Sequence, residues 1–173
     1  MLGKHPCADT FLKTKKTAIK LKKIPLEVGF CKICSHLTAI YSVSGYTRYQ
    51  KYNYSYTSNN SPVSNSHFNS LAKQISNKLK LNNKNLVIEA GSNDGTFLKE
   101  INLLSKSKVI GIDPSPSMVK LSRRKKIKTY NFFFNSKFAA KLKKKVGLAD
   151  IFYAANVFNH VDTPHDFLEG AKN

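Results

Sequence analysis

The hydrophobic pattern of the chain changes near residue 65. Residues 1–65 lack helical periodicity, and their Ser- and Asn-rich stretch from Ser55 to Ser66 has the composition of a loop. Beyond it, apolar side chains recur at helical spacing and alternate with short, continuous apolar runs. The pattern predicts a small irregular module over 1–65 and an α/β domain over 66–173.

The second part predicts four strands with helices between them. The predicted strands are 86–90, 109–113, 127–130 and the first part of 150–157. The predicted helices begin near Ser66, span 96–104, follow Asp113, surround 137–145 and begin near Thr163. This alternation is typical of a parallel sheet with right-handed crossovers, and its fourth strand is expected to leave an outer edge uncovered.

The turn after the first of these strands carries candidate chemistry. Glu89 lies in the strand, and Gly91 and Gly95 then bracket a turn that contains Asn93 and Asp94. Glycine takes positive φ readily and lets the backbone approach a ligand closely, while Asn and Asp are good turn formers. The spacing is not the G-x-G-x-x-G of a dinucleotide site, and the shorter turn favours a cofactor without a pyrophosphate.

A second acid follows at the end of the next strand. Asp113 ends the apolar run 109–112, and in a βαβ unit it lies at the carboxyl end of the neighbouring strand, where it can accept hydrogen bonds from ribose hydroxyls. The two strand ends predict a Rossmann-like site for S-adenosylmethionine (SAM). The alternative is that Asp113-Pro114 merely ends a strand and that the glycines serve an ordinary turn.

The positive charge of the chain suggests an alternative function. The 29 Lys and Arg residues outnumber the 10 Asp and Glu residues, which gives a net charge of +19 and an attraction to nucleic acid or anionic membranes. The basic residues are spread over 13–23, 73–84, 123–128 and 141–145, each on a predicted linker or the polar face of a helix. Nucleic acid is therefore not expected as the main partner, and a basic nucleic-acid-binding module remains the alternative function.

The apolar runs and the cysteines predict where in the cell the protein lies. The chain contains no run of about 18 apolar residues and no secretory signal pattern, so the sequence predicts a cytoplasmic protein without a membrane partner. Its three cysteines are too few and too unevenly placed for a disulfide framework. The oligomeric state stays open.

Five ordered motifs resemble the deoxysugar C-methyltransferase family. These proteins join an amino-terminal zinc-binding module to a class I methyltransferase domain and a further carboxyl-terminal domain, and they are considerably longer, so the resemblance predicts a chain that is incomplete at both ends. The motifs are Ile24-Pro-Leu-Glu-Val-Gly-Phe-Cys-Lys-Ile-Cys-Ser-His, Tyr54-Ser-Tyr-Thr-Ser, Glu89-Ala-Gly-Ser-Asn-Asp-Gly-Thr, Gly111-Ile-Asp-Pro-Ser and Ala155-Asn-Val-Phe-Asn-His-Val.

The resemblance implies a function and a set of roles. The family methylates nucleotide-linked 4-keto sugars: a base removes the proton next to the ketone, and the enolate attacks the sulfonium methyl of SAM. Residues 89–95 would form the cofactor turn, Asp113 would hold the ribose, and Asn156 would line the methionine end of the pocket. The substrate expected as partner is a nucleotide sugar.

Two side chains are candidates for the catalytic work. His160 follows the fourth strand, where substrate would meet cofactor, and histidine is the side chain most easily tuned to neutral pH. Tyr56 resembles the tyrosine that the amino-terminal module of the family contributes, and Tyr54 is the near alternative. Both Tyr56 and His160 could instead be ordinary packing residues.

The Cys31-x-x-Cys34 pair has the spacing of half a zinc site. In the family a second pair lies upstream of a stretch that corresponds to Leu2-Gly-Lys-His-Pro here, and Cys7 is expected to be a small buried hydrophobe. A site rebuilt from Cys7, Cys31, Cys34 and either His36 or His5 is the alternative. Zinc is thus a possible second cofactor, and reduced cysteines are the favoured interpretation.

Overall fold

The computed structural model describes residues 2–52, 54 and 56–172. The chain divides into two compact units, Met1–Ser55 and Tyr56–Asn173. Residues 56–65, which the sequence pattern grouped with the first module, lie in the second unit together with the predicted cofactor turn.

The first unit consists of short elements. Strand β1 (Lys4–His5) pairs antiparallel with β2 (Ile24–Pro25), and β3 (Val28–Phe30) pairs antiparallel with β4 (Leu37–Ala39). The helical segments are α1 (Lys15–Ile19) and a π-helical stretch at Tyr46–Lys51. None of the residues described in this unit is buried, so the unit has little apolar core to hold it together.

The second unit is built on a parallel four-stranded sheet. Its strands are β5 (Leu86–Ala90), β6 (Lys108–Asp113), β7 (Lys128–Asn131) and β8 (Ile151–Tyr153), in the spatial order β7-β6-β5-β8. All pairings are parallel, and β7 and β8 are the outer strands. All five residues of the central strand β5 are buried, which explains why that strand has a continuous rather than an alternating apolar pattern.

Five helices accompany the sheet. They are α2 (Pro62–Lys78), α3 (Thr96–Ser105), α4 (Pro116–Arg124), α5 (Ser136–Val146) and α6 (Pro164–Lys172). The first begins earlier than the predicted Ser66, because the Ser61 side chain accepts a hydrogen bond from the Ser64 N–H and Pro62 occupies the first helical position. The remaining boundaries lie within a few residues of the predicted ones.

The sheet separates two apolar clusters. Val87 packs with Phe97, Leu98 and Ile101 of α3, whereas its neighbours in β5 belong to the other cluster, which includes Leu142 of α5. Because successive strand residues point to opposite faces, the helices cover both faces of the sheet. The α/β fold class predicted from the sequence is confirmed. No helix in the described part of the chain is long and apolar enough to cross a membrane.

Gly111 offers a test of the packing between central strands. A Cβ at this position would clash with the Ser92 hydroxyl and approach the Thr129 hydroxyl oxygen to 3.0 Å. We expect Gly111→Ala to lower the free energy of unfolding by about 1–3 kcal/mol, as overpacked core substitutions do. Lys108→Ala, at an exposed position of the same strand, is the matched control and should change it by less than about 0.5 kcal/mol. Urea denaturation measures both values, and equal stabilities would contradict this account of the packing.

Candidate functional site

Two buried acids lie at the carboxyl ends of adjacent central strands. Glu89 pairs in register with Gly111, and Asp113 ends the neighbouring strand two residues later. Burial raises the pKa of Glu89 well above its usual value, and repulsion from the carboxylates of Asp113 and Asp94 raises it further. The two acids predicted from sequence therefore interact electrostatically at the carboxyl ends of their strands.

The turn between β5 and α3 follows the end of β6 closely. The N–H groups of Gly91 and Ser92 donate to the Ile112 carbonyl oxygen at 2.7 and 3.1 Å. Gly91, Asn93 and Gly95 have φ values of 68°, 51° and 75°, which is the left-handed region. A Cβ at Gly91 would clash with Val157, and one at Gly95 would clash with Ser122. Both predicted glycines are thus required by conformation and by space.

Asp113 connects the turns that follow the two strands. Its carboxylate accepts hydrogen bonds at 2.8 Å from the N–H of Asn93 and from the N–H of Ser115. Burial raises the pKa of Asp113 from 3.8 to about 6, although these two hydrogen bonds act in the opposite direction and Asp94 adds to the increase. A carboxylate oxygen has two lone pairs, so each oxygen can accept one more hydrogen bond.

The Asp94 carboxylate already has partners. One oxygen accepts from the Thr96 hydroxyl at 2.7 Å and the Thr96 N–H at 3.3 Å, which gives a partner to the N–H of the first residue of α3. The other oxygen forms an ion pair with Lys125 at 2.9 Å. Asp94 therefore fixes the geometry of the turn, and the sequence contained no local signal for Lys125, which lies 31 residues further along the chain.

Asn93 holds a second segment beside the turn. Its side-chain Nδ2 donates to the Tyr56 carbonyl oxygen at 3.0 Å, and its Oδ1 accepts from the Ser58 N–H at 3.0 Å. The backbone at Tyr56 is thereby placed next to the predicted cofactor turn, and the Tyr56 side chain is 43% exposed. Tyr54, the alternative candidate, belongs to the first unit, where it forms an isolated β-bridge with Thr10.

The loop after β8 lies against the same turn. Val157 is the side chain that faces Gly91, and Asn156, one residue earlier, is exposed with φ of 53°. His160 ends a 3₁₀ turn in which its N–H donates to the Val157 carbonyl oxygen at 2.8 Å. The His160 side chain is exposed, and its Nε2 lies 3.3 Å from the Asn159 amide nitrogen. The loop that carries Asn156 and His160 therefore contacts the predicted cofactor turn through Val157.

Ser92 is a buried residue of this turn that the sequence pattern did not single out. Its hydroxyl oxygen is buried, as is Oε2 of Glu89, and neither atom has a hydrogen-bond partner among the described residues. Buried polar atoms are nearly always paired, so these two atoms are available to a bound water or ligand. A serine between two glycines gave no signal in the sequence because serine is common in turns of every kind.

The cysteine pair lies in the first unit, in the turn between β3 and β4. The Cys31 N–H donates to the His36 carbonyl oxygen at 2.9 Å. The backbone N–H groups of Cys34 and Ile33 and the Cys34 thiol lower the pKa of Cys31 by hydrogen bonding. Among the described residues, no group of three or more His, Cys, Asp or Glu could hold a metal ion, so a zinc site is not shown.

Part of the second unit is similar to known methyltransferases. Residues 88–173 match a protein-family model described as a methyltransferase domain. The chain is 24% identical over 168 residues to the C-methyltransferase NovU of Streptomyces niveus, and the match covers 97% of this chain. It spans 39% of the length of that relative.

Two solved structures resemble parts of the fold. One is an RNA methyltransferase from Salinibacter ruber in complex with S-adenosyl-L-homocysteine, with 19% identity, 54% of this chain and 50% of that chain covered, and a TM-score of 0.30. The other is a complex of the Haloferax volcanii Trm112 methyltransferase activator with a methyltransferase, with 17% identity, 60% and 53% covered, and a TM-score of 0.40.

The family match begins at residue 88, within the strand that carries Glu89, and covers the turn that follows it and the strand that ends at Asp113. The second unit therefore has a Rossmann-like parallel sheet, and residues 88–173 within it are similar to a methyltransferase domain.

Proposed function

We propose that this chain is the cofactor-binding part of a SAM-dependent C-methyltransferase that acts on a nucleotide-linked keto-deoxysugar. The observation that carries the proposal is the pair of buried carboxylates, Glu89 and Asp113, at adjacent strand ends of a methyltransferase domain. The likeness to a C-methyltransferase and the five ordered motifs support carbon as the atom that receives the methyl group.

The buried polar atoms of the site suit SAM. Glu89 Oε2 and the Ser92 hydroxyl have no described partner, and leaving such a group unpaired costs about 1–3 kcal/mol. Asp113 retains lone pairs that ribose hydroxyls could use, and the positive charge of SAM would favour the ionised form of Glu89. Asn156 would border the methionine end. When bound, SAM supplies an electrophilic methyl group, which the enolate carbon of the substrate takes up.

The remaining chemistry belongs to the side chains of the protein. His160 would remove the proton on the carbon next to the ketone, and the electron pair of that C–H bond would move towards the carbonyl oxygen to form the enolate. The Tyr56 hydroxyl could donate a hydrogen bond to the developing oxyanion. Asn93 holds the Tyr56 backbone beside the cofactor turn, which supports this role.

Zinc does not enter the proposed reaction. Cys31 and Cys34 supply two thiol ligands, whereas a structural zinc site takes four ligands, and the described residues offer no third one nearby. The second candidate function, a basic module that binds without turnover, is favoured by the net charge of +19. The two functions differ in whether the chain converts a substrate.

The ribose role of Asp113 predicts a binding defect. We expect Asp113→Ala to weaken binding of S-adenosylhomocysteine by about 1–3 kcal/mol, as for the loss of a hydrogen bond to a charged group. Isothermal titration calorimetry measures the affinity, with Asp162→Ala, at an exposed loop position, as the matched control. If circular dichroism shows that both proteins are folded, equal affinities of wild type and Asp113→Ala would contradict the role of Asp113 in cofactor binding.

The raised pKa of Asp113 predicts a pH dependence of binding. In the protein without ligand, the Asp113 carboxyl has a pKa of about 6, and its charged form is the better acceptor for the ribose hydroxyls. S-adenosylhomocysteine affinity should therefore be full above about pH 7 and fall by up to about tenfold per pH unit below pH 6. Calorimetry at several pH values measures this, and Asp113→Ala should flatten the profile between pH 5 and about 7.

The Asp113 carboxyl also affects folding stability, and this effect changes with pH in the opposite direction to ligand binding. Its pKa in the folded protein, about 6, exceeds the ordinary value of 3.8, so the folded state binds the proton more tightly. Its contribution is present below about pH 4 and is lost as the pH rises through 6. Weaker binding at pH 5 therefore cannot be attributed to the loss of this contribution. An affinity that does not change between pH 5 and 7 would contradict the role of Asp113.

The substrate and the base are tested by isotope exchange. In D₂O, the chain should exchange the proton next to the ketone of a nucleotide-linked 4-keto-6-deoxysugar without SAM, and with SAM it should add one methyl group. His160→Ala should abolish exchange and keep S-adenosylhomocysteine binding, whereas Asp113→Ala should keep exchange and weaken S-adenosylhomocysteine binding. His165→Ala, an exposed histidine of α6, is the control, and NMR and mass spectrometry give the readouts. Cofactor binding with neither exchange nor methylation would favour the non-catalytic module.

A further inference from the structure

The segment between Asp113 and Asp150 carries cations and no acids. Eleven Lys and Arg residues lie there, and no Asp or Glu. Lys125 forms an ion pair with Asp94, and the other ten have no carboxylate partner among the described residues. The eleven are Lys120, Arg123, Arg124, Lys125, Lys126, Lys128, Lys137, Lys141, Lys143, Lys144 and Lys145.

The fold brings part of this positive charge to the outer strand β7 of the sheet. The outer strand β7 has α4 on one face and α5 on the other, so two basic clusters that are separate in sequence meet along it. From α4, the Arg123 guanidinium donates twice to the Thr129 carbonyl oxygen, at 3.1 and 2.7 Å. The ammonium groups of Lys128 and Lys145 lie 5.9 and 5.8 Å from the centre of the Tyr130 ring.

A groove lies between α4 and this outer strand. Its volume is about 480 Å³, within the range of small-molecule sites. Three of its six lining residues are cationic and none is acidic. The lining residues are Pro116, Val119, Lys120, Arg123, Arg124 and Asn131.

An exposed aromatic ring lies directly after β7, on the side of α5. Phe132 follows Asn131 directly at the end of β7, is 47% exposed, and stacks on Phe138 with ring centres 4.7 Å apart and an angle of 17° between the rings. Proteins that bind single-stranded nucleic acid combine exposed aromatic rings with cations, since phosphates pair with the charges and bases stack on the rings.

We propose that this surface binds the phosphate backbone of a single-stranded nucleic acid. We call it the basic edge and define it by Lys120, Arg123, Arg124, Lys128 and Lys145. A chain of phosphates suits it better than a single nucleotide does, because the cations continue beyond the groove and across the outer strand to α5. None of these five residues belongs to the turn after β5 or to the strand ends that carry Glu89 and Asp113.

The test compares two variants with equal reductions in charge. One variant is Lys120→Gln/Arg124→Gln/Lys128→Gln/Lys145→Gln, which spares Arg123 because of its hydrogen bonds to Thr129. The control is Lys73→Gln/Lys78→Gln/Lys84→Gln/Lys99→Gln, at exposed positions on α2, in the loop between α2 and β5, and on α3. Fluorescence anisotropy with labelled oligothymidylate and oligouridylate of about 20 nucleotides, from about 50 to about 200 mM salt, gives affinities and salt slopes.

We expect the wild-type chain to bind and the first variant to bind at least about tenfold more weakly. Its salt slope should fall by about 0.7 for each phosphate that no longer pairs with a cation. The control variant should bind within about twofold of wild type. S-adenosylhomocysteine affinity should be unchanged in both variants, which separates this result from a failure of the methyltransferase proposal.

Three results would overturn the proposal. The first is no binding by the wild-type chain. The second is equal weakening in both variants, which would mean that the net charge alone attracts the oligonucleotide. The third is tighter binding to vesicles that contain phosphatidylserine than to either oligonucleotide, with the same four positions responsible, since the edge would then be a membrane-binding surface.

Discussion

The buried carboxylate of Asp113 is the constraint on which the proposed cofactor site depends. It accepts one backbone N–H from the turn after β5 and one from the turn after β6, and so fixes two loops that leave neighbouring strands. A carboxylate only accepts hydrogen bonds, so both turns must present N–H groups towards it. The left-handed conformations at Gly91, Asn93 and Gly95 allow the first turn to bend tightly enough to do so.

The same arrangement concentrates unfavourable negative charge at the site. Glu89 is almost fully buried next to Asp113 and Asp94, and its Oε2 has no partner among the described residues. Acids with raised pKa values in a cleft are typical of functional sites, because a ligand with donors or positive charge relieves the repulsion. Asp94 is relieved within the protein by Lys125, which leaves Glu89 and Asp113 as the acids available to a ligand.

The sequence was a good guide wherever a signal is local. The strand 86–90, the helix that begins at Thr96 and the acid that ends the second strand all follow from patterns within a few residues. The start of α2 was misjudged, because the serine and asparagine content of 55–66 suggested a loop although Ser61 and Pro62 form a good helix start. The hydrogen bonds of Asn93 with the backbone of Tyr56 and Ser58 could not be predicted, because they join residues 35 or more positions apart.

By itself, the sequence determined the α/β class and which residues follow the central strands, because apolar periodicity and glycine turns act over short distances. Only the tertiary structure decided what meets those residues: that Lys125 neutralises Asp94, that Val157 closes against Gly91, and that separate lysine clusters converge on one outer strand. The physical reason is that charge pairing, burial and steric fit depend on distances in space. Helix packing and strand order set those distances, and a linear pattern does not contain them.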